Sequence, residues 1–501
     1  MVDNMLDYIV SQTEKYIASM PKDVRKSFGQ FFTPKTTASF MAEMIDVPTK
    51  KTIIILDPGA GSGILSAAII ETINKSNRSI IEIKLTCYET CEDIIPLLSD
   101  NLKYLEKMSE IKLTTELITD DYLLSQSDEF CGKFAGIGNS KKYDVIIGNP
   151  PYYKIGKDSV EARAMPEVCY GAPNIYFLFA SMSLFNLVDG GEMVYIIPRS
   201  WTSGAYFSHF RNYFLTHGKL TNIHIFTNRK DLFNGDDVLQ ETMIIKVKKT
   251  NTPPLLIKVT ASAGSKEIND IAEVSVPYDT VVSGKERYVY LVTSQEDVEV
   301  LQNVNKFNKP MPAIGLKMKT GLTVDFRNKE MLRNSNEENT VPLFYSQHIK
   351  DGRVVFPIGK ENEYITDDLP GMIQRNRNYL FIKRFTSKEE HRRLQSAIYI
   401  ARNYPEHNMI STQNKINFID TIDNSEMSEE LVYGLYAVIN STIYDKYYRI
   451  LNGSTQVNAT EMNAIPFPAR NDLECMGRQL MDLGDYSTDS CDKILSEVIH
   501  A

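Results

Sequence analysis

Apolar positions follow two periods along the first half of the chain. Leu6, Ile9, Val10, Tyr16 and Ile17 share a helical face and predict a helix over residues 4–20. Lys51–Asp57 is instead a short apolar, β-branched run; it predicts a buried strand, with a helical stretch from Ile64 to Ile73 after it. The same reading gives strands at Glu82–Tyr88, Lys112–Ile118, Val145–Ile147, Glu192–Ile197 and Val238–Val247. Helices are expected from about Lys35 to Ile45 and from Ile175 to about Val188. Thr33 before Pro34 has the form of a helix N-cap with proline at the first helical position. Strands alternating with helices predict an α/β domain built on an open sheet. Thr250-Asn-Thr-Pro-Pro254 is the expected boundary, giving domains at 1–250 and 251–501, the second of mixed α+β character. From Leu255 to about Val304, β-like runs alternate with polar turns. That stretch fits an extension of the first domain as well as the start of the second.

Composition narrows the class. The 501 residues are 43% hydrophobic and 10% aromatic, which suits two or three ordinary domains with sizeable cores. There is no run of 18 apolar residues and no signal peptide, so a soluble, cytoplasmic protein with no membrane partner is expected. The six cysteines are scattered and only Cys87 and Cys91 are close; they read as reduced structural thiols, and no metal is expected. A net charge of −9 argues against indiscriminate nucleic-acid binding but leaves room for a local basic groove.

The candidate chemistry sits where strands end. Val145–Ile147 runs into Asn149-Pro150-Pro151-Tyr152, and the two prolines stop the strand in a stiff corner. Open α/β sheets place ligands at such carboxyl ends. The Asn149 side-chain oxygen and the Pro150 carbonyl are two acceptors able to take both hydrogens of an amide or exocyclic amine, freeing its lone pair from conjugation. The Tyr152 ring suits stacking on a planar substrate. Four residues of this kind also make an ordinary strand-to-loop turn. Pro58-Gly59-Ala60-Gly61-Ser62-Gly63 permits close backbone approach of a ligand, yet it is neither the G-x-G-x-x-G of dinucleotide binders nor a P-loop. Asp57, Glu89 and Asp121 stand at three strand ends, the second placed to hold ribose hydroxyls and the third an adenine amine beside Tyr122. Each acid alone is commonly a solvated strand end; the set is harder to assign to chance.

In chain order, Gln30-Phe-Phe-Thr-Pro34, Asp57-Pro-Gly-Ala-Gly-Ser-Gly63, Asp121-Tyr-Leu123 and Asn149-Pro-Pro-Tyr152 resemble the class gamma N6-adenine DNA methyltransferases of restriction–modification systems, the TaqI-like group. The resemblance covers residues 25–250 and implies a Rossmann-like, S-adenosylmethionine-dependent methyltransferase domain followed by a DNA-recognition domain. Phe31 and Thr33 would line the cofactor's methionine end, and Asp57, Gly59, Ala60 and Gly61 the loop beneath it. Glu89 would bind the ribose, and Asp121 with Tyr122 the cofactor adenine. Asn149 and Pro150 would grip the target amine within the Asn149-Pro150-Pro151-Tyr152 corner. Tyr152 and Phe233 would stack on opposite faces of a flipped base, with Phe226 the fallback for the second. Trp201 reads as packing. Phe381–Glu390 and Ile410–Asn417 look like the PstI/BsuBI-type branch, which suggests CTGCAG as the recognition sequence.

Beyond residue 250, Arg375, Arg377, Lys383, Arg384, Lys388, Arg392 and Arg393 oppose only Glu389 and Glu390, with Tyr379, Phe381 and Phe385 interleaved. Basic residues mixed with aromatics fit phosphate anchoring of double-stranded DNA by Arg375, Arg377, Lys383, Arg384 and Lys388, though a solvated charged face has the same composition. Asn452–Asn458 is rich in amides and hydroxyls able to read base edges or phosphates, a composition that equally suits a loop ahead of Glu461 to Pro468. The resulting expectation is an adenine-specific DNA methyltransferase acting as a monomer near the prokaryotic nucleoid, with a separate cognate endonuclease. Methylation of a protein glutamine amide or of RNA adenine is the alternative. It is disfavoured by the long second half. A non-catalytic accessory protein is opposed by the intact motif set.

Overall fold

The computed structural model describes residues 4–19, 32–76, 79–132, 141–226, 242–264, 271–368, 371–387, 390–452 and 456–500. Phe31, Phe233 and Lys388 lie outside the described residues. Contacts divide the chain into two compact units, Met1–Ser294 and Gln295–Ala501.

The first unit is built on strands β1 (Thr52–Pro58), β2 (Glu82–Tyr88), β3 (Lys112–Ile118), β4 (Tyr143–Gly148), β5 (Leu187–Pro198), β6 (Lys219–Phe226), β7 (Thr242–Lys248), β8 (Leu256–Ser262) and β9 (Ala272–Pro277). They form one sheet in the order β3-β2-β1-β4-β5-β7-β6-β8-β9. The pairs from β3 through β5 are parallel, and β7 runs antiparallel to both β5 and β6. Chain order reverses at β1, so β2 and β4 flank it, and the crevice at its carboxyl end is the switch point where such sheets bind ligands. The fold is α/β and Rossmann-like. Helices α1 (Met5–Ser19), α2 (Lys35–Glu43), α3 (Ile64–Lys75) and α4 (Ile95–Met108) share a core with Ile53, Ile55, Val145 and Ile147. Every residue of β4 is buried, as a central strand covered on both faces requires.

One open reading closes and one expectation changes. β8 pairs with β6 in parallel and β9 closes the edge, so residues 256–277 extend the first sheet, and the division between units falls after Ser294 rather than at the Thr250–Pro254 turn. Thr33 does not cap α2: Pro34 occupies the N-cap position with no side-chain bond, and the Thr33 hydroxyl is engaged elsewhere.

The second unit is mixed α+β. Strands β10 (Tyr379–Lys383), β11 (Met409–Thr412) and β12 (Ile416–Thr421) belong to it, β10 and β12 being antiparallel neighbours in a six-stranded sheet. Its core is aromatic, with Phe344, Tyr379, Phe381, Tyr399 and Phe418 in one cluster. Helices α5 (Glu429–Ile439) and α6 (Arg470–Leu483) pack so closely that a Cβ on Gly434 would meet the Leu473 carbonyl oxygen at 1.8 Å.

Candidate active site

A cavity of about 270 Å³ opens at the switch point, small for a ligand cleft. Its wall includes Gly59, Gly61, Glu89, Asp121, Tyr122, Asn149, Pro150 and Pro151. A void of about 40 Å³, lined by Thr33, Gly59, Ala60, Gly61 and Asn149 among others, adjoins it. Residues spread over more than a hundred positions of sequence thus meet because β1, β2 and β4 end side by side.

The glycine loop is fixed from below. Gly59 and Ala60 both donate their backbone N–H to the Tyr88 carbonyl at the end of β2, at 2.9 and 2.8 Å. Gly59 and Gly61 have φ of +74° and +57°, a region where a side chain brings strain. Glu89 faces the same loop: one carboxylate oxygen accepts from the Gly61 N–H at 2.8 Å and the other from the Thr90 and Cys91 N–H groups at 2.9 Å. Asp121 accepts from the Leu124 N–H at 2.9 Å and so caps the helix Tyr122–Phe130. Tyr122, nearly buried, lies edge-on to Tyr88 with ring centroids 5.0 Å apart and tilted against Phe179 at 5.4 Å. Asp57 is fully buried, and burial pushes its carboxyl up to about 7 although Ser66 donates to it at 2.7 Å. The acidic side chains of Glu89 and Asp121, on the cavity wall past the ends of β2 and β3, suit a cationic group.

Asn149 is held by its neighbours. Its amide nitrogen donates to the Thr33 hydroxyl at 3.1 Å, which ties the corner to the start of α2. The Tyr152 hydroxyl lies 2.6 Å from the Asn149 side-chain oxygen and 2.7 Å from the Ile196 carbonyl, one proton facing two acceptors. Burial raises the Tyr152 phenol well above its ordinary value, so it stays protonated and donates. The amide is therefore oriented from both ends. Tyr152 itself is 9% exposed, edge-on to Tyr176, whereas Tyr153, 46% exposed, takes the place on the cavity wall.

The cavity is also lined by Phe32, which the sequence reading placed in the core beside Thr33, and by Tyr153, Ile175 and Phe179, to which it gave no site role. Phe179 had no visible signal, because it stands in a helix apolar on every side. Trp201 is fully buried against Phe210 and Phe214. Among the described residues no helix is long and apolar enough to cross a membrane, and no cluster of histidine, cysteine and acidic side chains is arranged to hold a metal ion.

In the second unit the basic residues between 375 and 393 part company. Arg375 is exposed. Arg377 lies 3.1 Å from the Asp420 carboxylate and donates to the Asn424 and Ser425 carbonyls. Lys383 donates to Gln395 at 2.9 Å. Arg384 donates to the Asn414 carbonyl at 3.1 Å and to the Gln456 side-chain oxygen at 3.3 Å. Arg392 donates to the Ile439 and Ser441 carbonyls, and Arg393 is fully buried.

A Rossmann-like sheet with a glycine loop, an acid beside it and a rigid Asn-Pro-Pro corner at one switch point defines a methyltransferase fold. The model of the family described as Eco57I restriction-modification methylase matches residues 71–233. Over 494 residues the chain is 31% identical to the type II methyltransferase M.PstI of Providencia stuartii, covering 96% of this chain and 94% of that protein. It is also 31% identical over 469 residues to the type II methyltransferase M.BsuBI of Bacillus subtilis, 91% of each. The chain belongs to this family of type II restriction–modification methyltransferases, and S-adenosylmethionine is its methyl donor. In fold it is similar to a nuclease-deletion mutant of the type ISP restriction-modification enzyme LlaGI, with a TM-score of 0.50 and 12% identity, covering 95% of this chain and 56% of that one.

Proposed function

We propose that the protein methylates the exocyclic N6 amine of adenine in double-stranded DNA, at a specific site, as the modification enzyme of a restriction–modification pair. The observation that carries this reading is the Asn149 amide, clamped between Thr33 and Tyr152 on the rim of the cavity that the glycine loop also lines. S-adenosylmethionine, when bound, supplies an electrophilic methyl on a sulfonium sulfur. Gly59, Ala60 and Gly61, together with Thr33, would hold its methionine end, Glu89 its ribose, and Asp121 with Tyr122 its adenine; Asp57 sits beneath the loop. Bare backbone at two positive-φ glycines and nearby carboxylates fit a cationic nucleoside.

The remaining work belongs to this chain's own groups. An adenine amine inside a duplex is out of reach, so the base is extruded at a cost of a few kcal/mol. The Asn149 oxygen and Pro150 carbonyl accept the two amine hydrogens and turn the nitrogen lone pair out of the ring, and positive charge developing on that nitrogen is stabilised by the same two acceptors. The proton then leaves to water. Stacking of Tyr152 on the base requires its ring face to be uncovered as the base enters, and Phe233 would serve the opposite face. Arg375, Lys383, Arg384 and Lys388 are the proposed phosphate or base contacts, CTGCAG the proposed site, and a separate endonuclease the partner of a monomeric enzyme.

Tritiated S-adenosylmethionine offered with duplex DNA, RNA and a release-factor protein tests this directly, with the modified base mapped afterwards. Label on N6 of adenine in the duplex is expected. Label confined to RNA or protein, or found on cytosine, overturns the reading.

A further inference from the structure

We propose that Arg384, braced by Gln456 and flanked by Phe385, reads the edge of a guanine in the target DNA. The inference rests on the DNA-methyltransferase reading and deepens it from phosphate anchoring to base recognition.

Three stretches far apart in sequence converge on this one residue. β10 pairs with β12, which places Lys383 opposite Ile416, and the Arg384 N–H donates to the Lys415 carbonyl at 2.9 Å. The Arg384 carbonyl accepts from the Val457 N–H at 2.7 Å, and Phe385 and Gln456 form a further backbone bridge. The site is then held from beneath by buried polar groups. Arg393, fully buried, donates to the Thr386 carbonyl and to Asn452 at 3.5 Å. Asn452 and Tyr448 in turn donate to Glu461, which is also fully buried. A network of this kind fixes a loop in one arrangement.

Arg384 differs from the arginines around it. Arg377 is paired with Asp420, a carboxylate it shares with Lys319, while Arg392 and Arg393 hold backbone carbonyls inside the unit. Among the described residues Arg384 meets no carboxylate. Its two terminal nitrogens each give one bond, to Asn414 and Gln456, and among the described residues its other N–H donors meet no further acceptor. A guanidinium presents five donors in a rigid fork. Clamped in this way and part-exposed, it retains donors that match the paired acceptors N7 and O6 of guanine, the commonest base contact arginine makes. Phe385, 47% exposed, gives the neighbouring base an apolar surface. A residue meant only for phosphate needs no such bracing, since a point charge on a flexible stem does as well.

The test uses the full-length protein, its site mapped by methylome sequencing of an expressing host. Duplexes carrying that site and every single-pair variant of it are then methylated by wild type, Arg384→Ala, Arg384→Lys and Gln456→Ala. Both Arg384 variants should lose roughly 10- to 100-fold in kcat/KM on the mapped site and stop discriminating at one G·C pair, with discrimination kept elsewhere. Gln456→Ala, which leaves the arginine present, should weaken discrimination at the same pair by a smaller factor. Melting temperature and S-adenosylmethionine binding should match wild type. If Arg384→Lys restores the rate, or Arg384→Ala slows all duplexes equally, the contact is to phosphate and the inference falls. If an Arg384 variant melts early, unchanged discrimination in Gln456→Ala overturns it instead. Wild type labelling no DNA at all would instead bring down the function on which the inference rests.

Discussion

The two units treat their conspicuous polar residues in opposite ways. In the first, the motif residues bond to one another and to backbone, and the result faces a cavity: Thr33, Asn149 and Tyr152 form one line of hydrogen bonds, and Glu89 closes on the Gly61 N–H. In the second, most of the basic run turns inward. Arg377, Arg392 and Arg393 serve the fold, and only some of the charge that composition advertises remains at the surface. A motif set by strand ends keeps its orientation because sheet topology fixes where strands end. A charge cluster carries no such guarantee, since Arg377, Arg392 and Arg393 stand in irregular segments whose side-chain directions no local pattern fixes.

The sharpest way to break the comparison is at Asn149. If its amide supplies the acceptor that activates the target nitrogen, Asn149→Ala should slow single-turnover methylation of duplex DNA by 100-fold or more, the scale seen when one preorganised polar group is removed from an active site. Binding of S-adenosylmethionine, measured by calorimetry, should change little. A variant that methylates at near wild-type rate removes Asn149 from the chemistry.

Arg377→Ala asks the opposite question of the second unit. The guanidinium is 13% exposed and its partner Asp420 5%. Removing it should destabilise the unit by about 1–3 kcal/mol, because the Asn424 and Ser425 carbonyls lose their donor and a largely buried carboxylate loses one of two cationic partners, Lys319 staying at 3.0 Å. Thermal melting should fall by several degrees while the methylated site stays the same. A loss of sequence discrimination with unchanged melting would show that Arg377 contacts DNA after all.

Tyr152→Phe separates the hydroxyl from the ring. The phenol orients Asn149 from a distance of 2.6 Å, so its loss should lower kcat about tenfold, one hydrogen bond's worth, with KM for DNA unchanged. An equal rise in KM would assign the hydroxyl to binding instead.

Much of the first unit was legible because its signals are local. Lys112–Ile118 and Glu82–Tyr88 are strands with the bounds that alternation and β-branching suggest. The glycine loop and the Asn-Pro-Pro corner declare themselves by residues that only special backbone tolerates. What escaped was set by tertiary contact. Thr33 has the form of a cap, yet its hydroxyl goes to a residue more than a hundred positions away, because the strand end that brings Asn149 close is invisible in the local pattern. Phe179 and Tyr153 line the cavity without any motif. Residues 256–277 continue the first sheet by pairing with β6, and a strand's choice of neighbour is not written in its own residues. In the second unit, the meeting of Arg384 with Gln456 depends on a loop returning across 72 positions.

Asp57 bears on the same comparison, because it tests how the first unit holds charge beneath its cavity. Asp57 is fully buried; one carboxylate oxygen takes the Ser66 hydroxyl and the other has no partner among the described residues. Burial first, and the nearby Glu89 after it, push the carboxyl up to about 7 against the opposing bond from Ser66. The folded chain therefore keeps a proton, between the ordinary carboxylate range and pH 7, that the unfolded chain has released. With more protons bound to the folded state, stability must fall as pH rises through that window and level off above it. His224, held down to about 4 by burial, has the opposite sign and gains stability as pH rises from 4 to its ordinary value. The two slopes overlap in the wild type, so the measurement is a difference. Asp57→Asn keeps an acceptor for Ser66 and cannot titrate. Without cofactor, wild-type stability minus that of Asp57→Asn should decline from pH 5 to pH 7.5. Saturating S-adenosylmethionine, which brings positive charge to the crevice, should flatten the decline by favouring the ionised carboxyl. A difference that stays constant across this range without cofactor would mean that Asp57 is ionised throughout, and that the crevice floor carries its negative charge before any cation arrives.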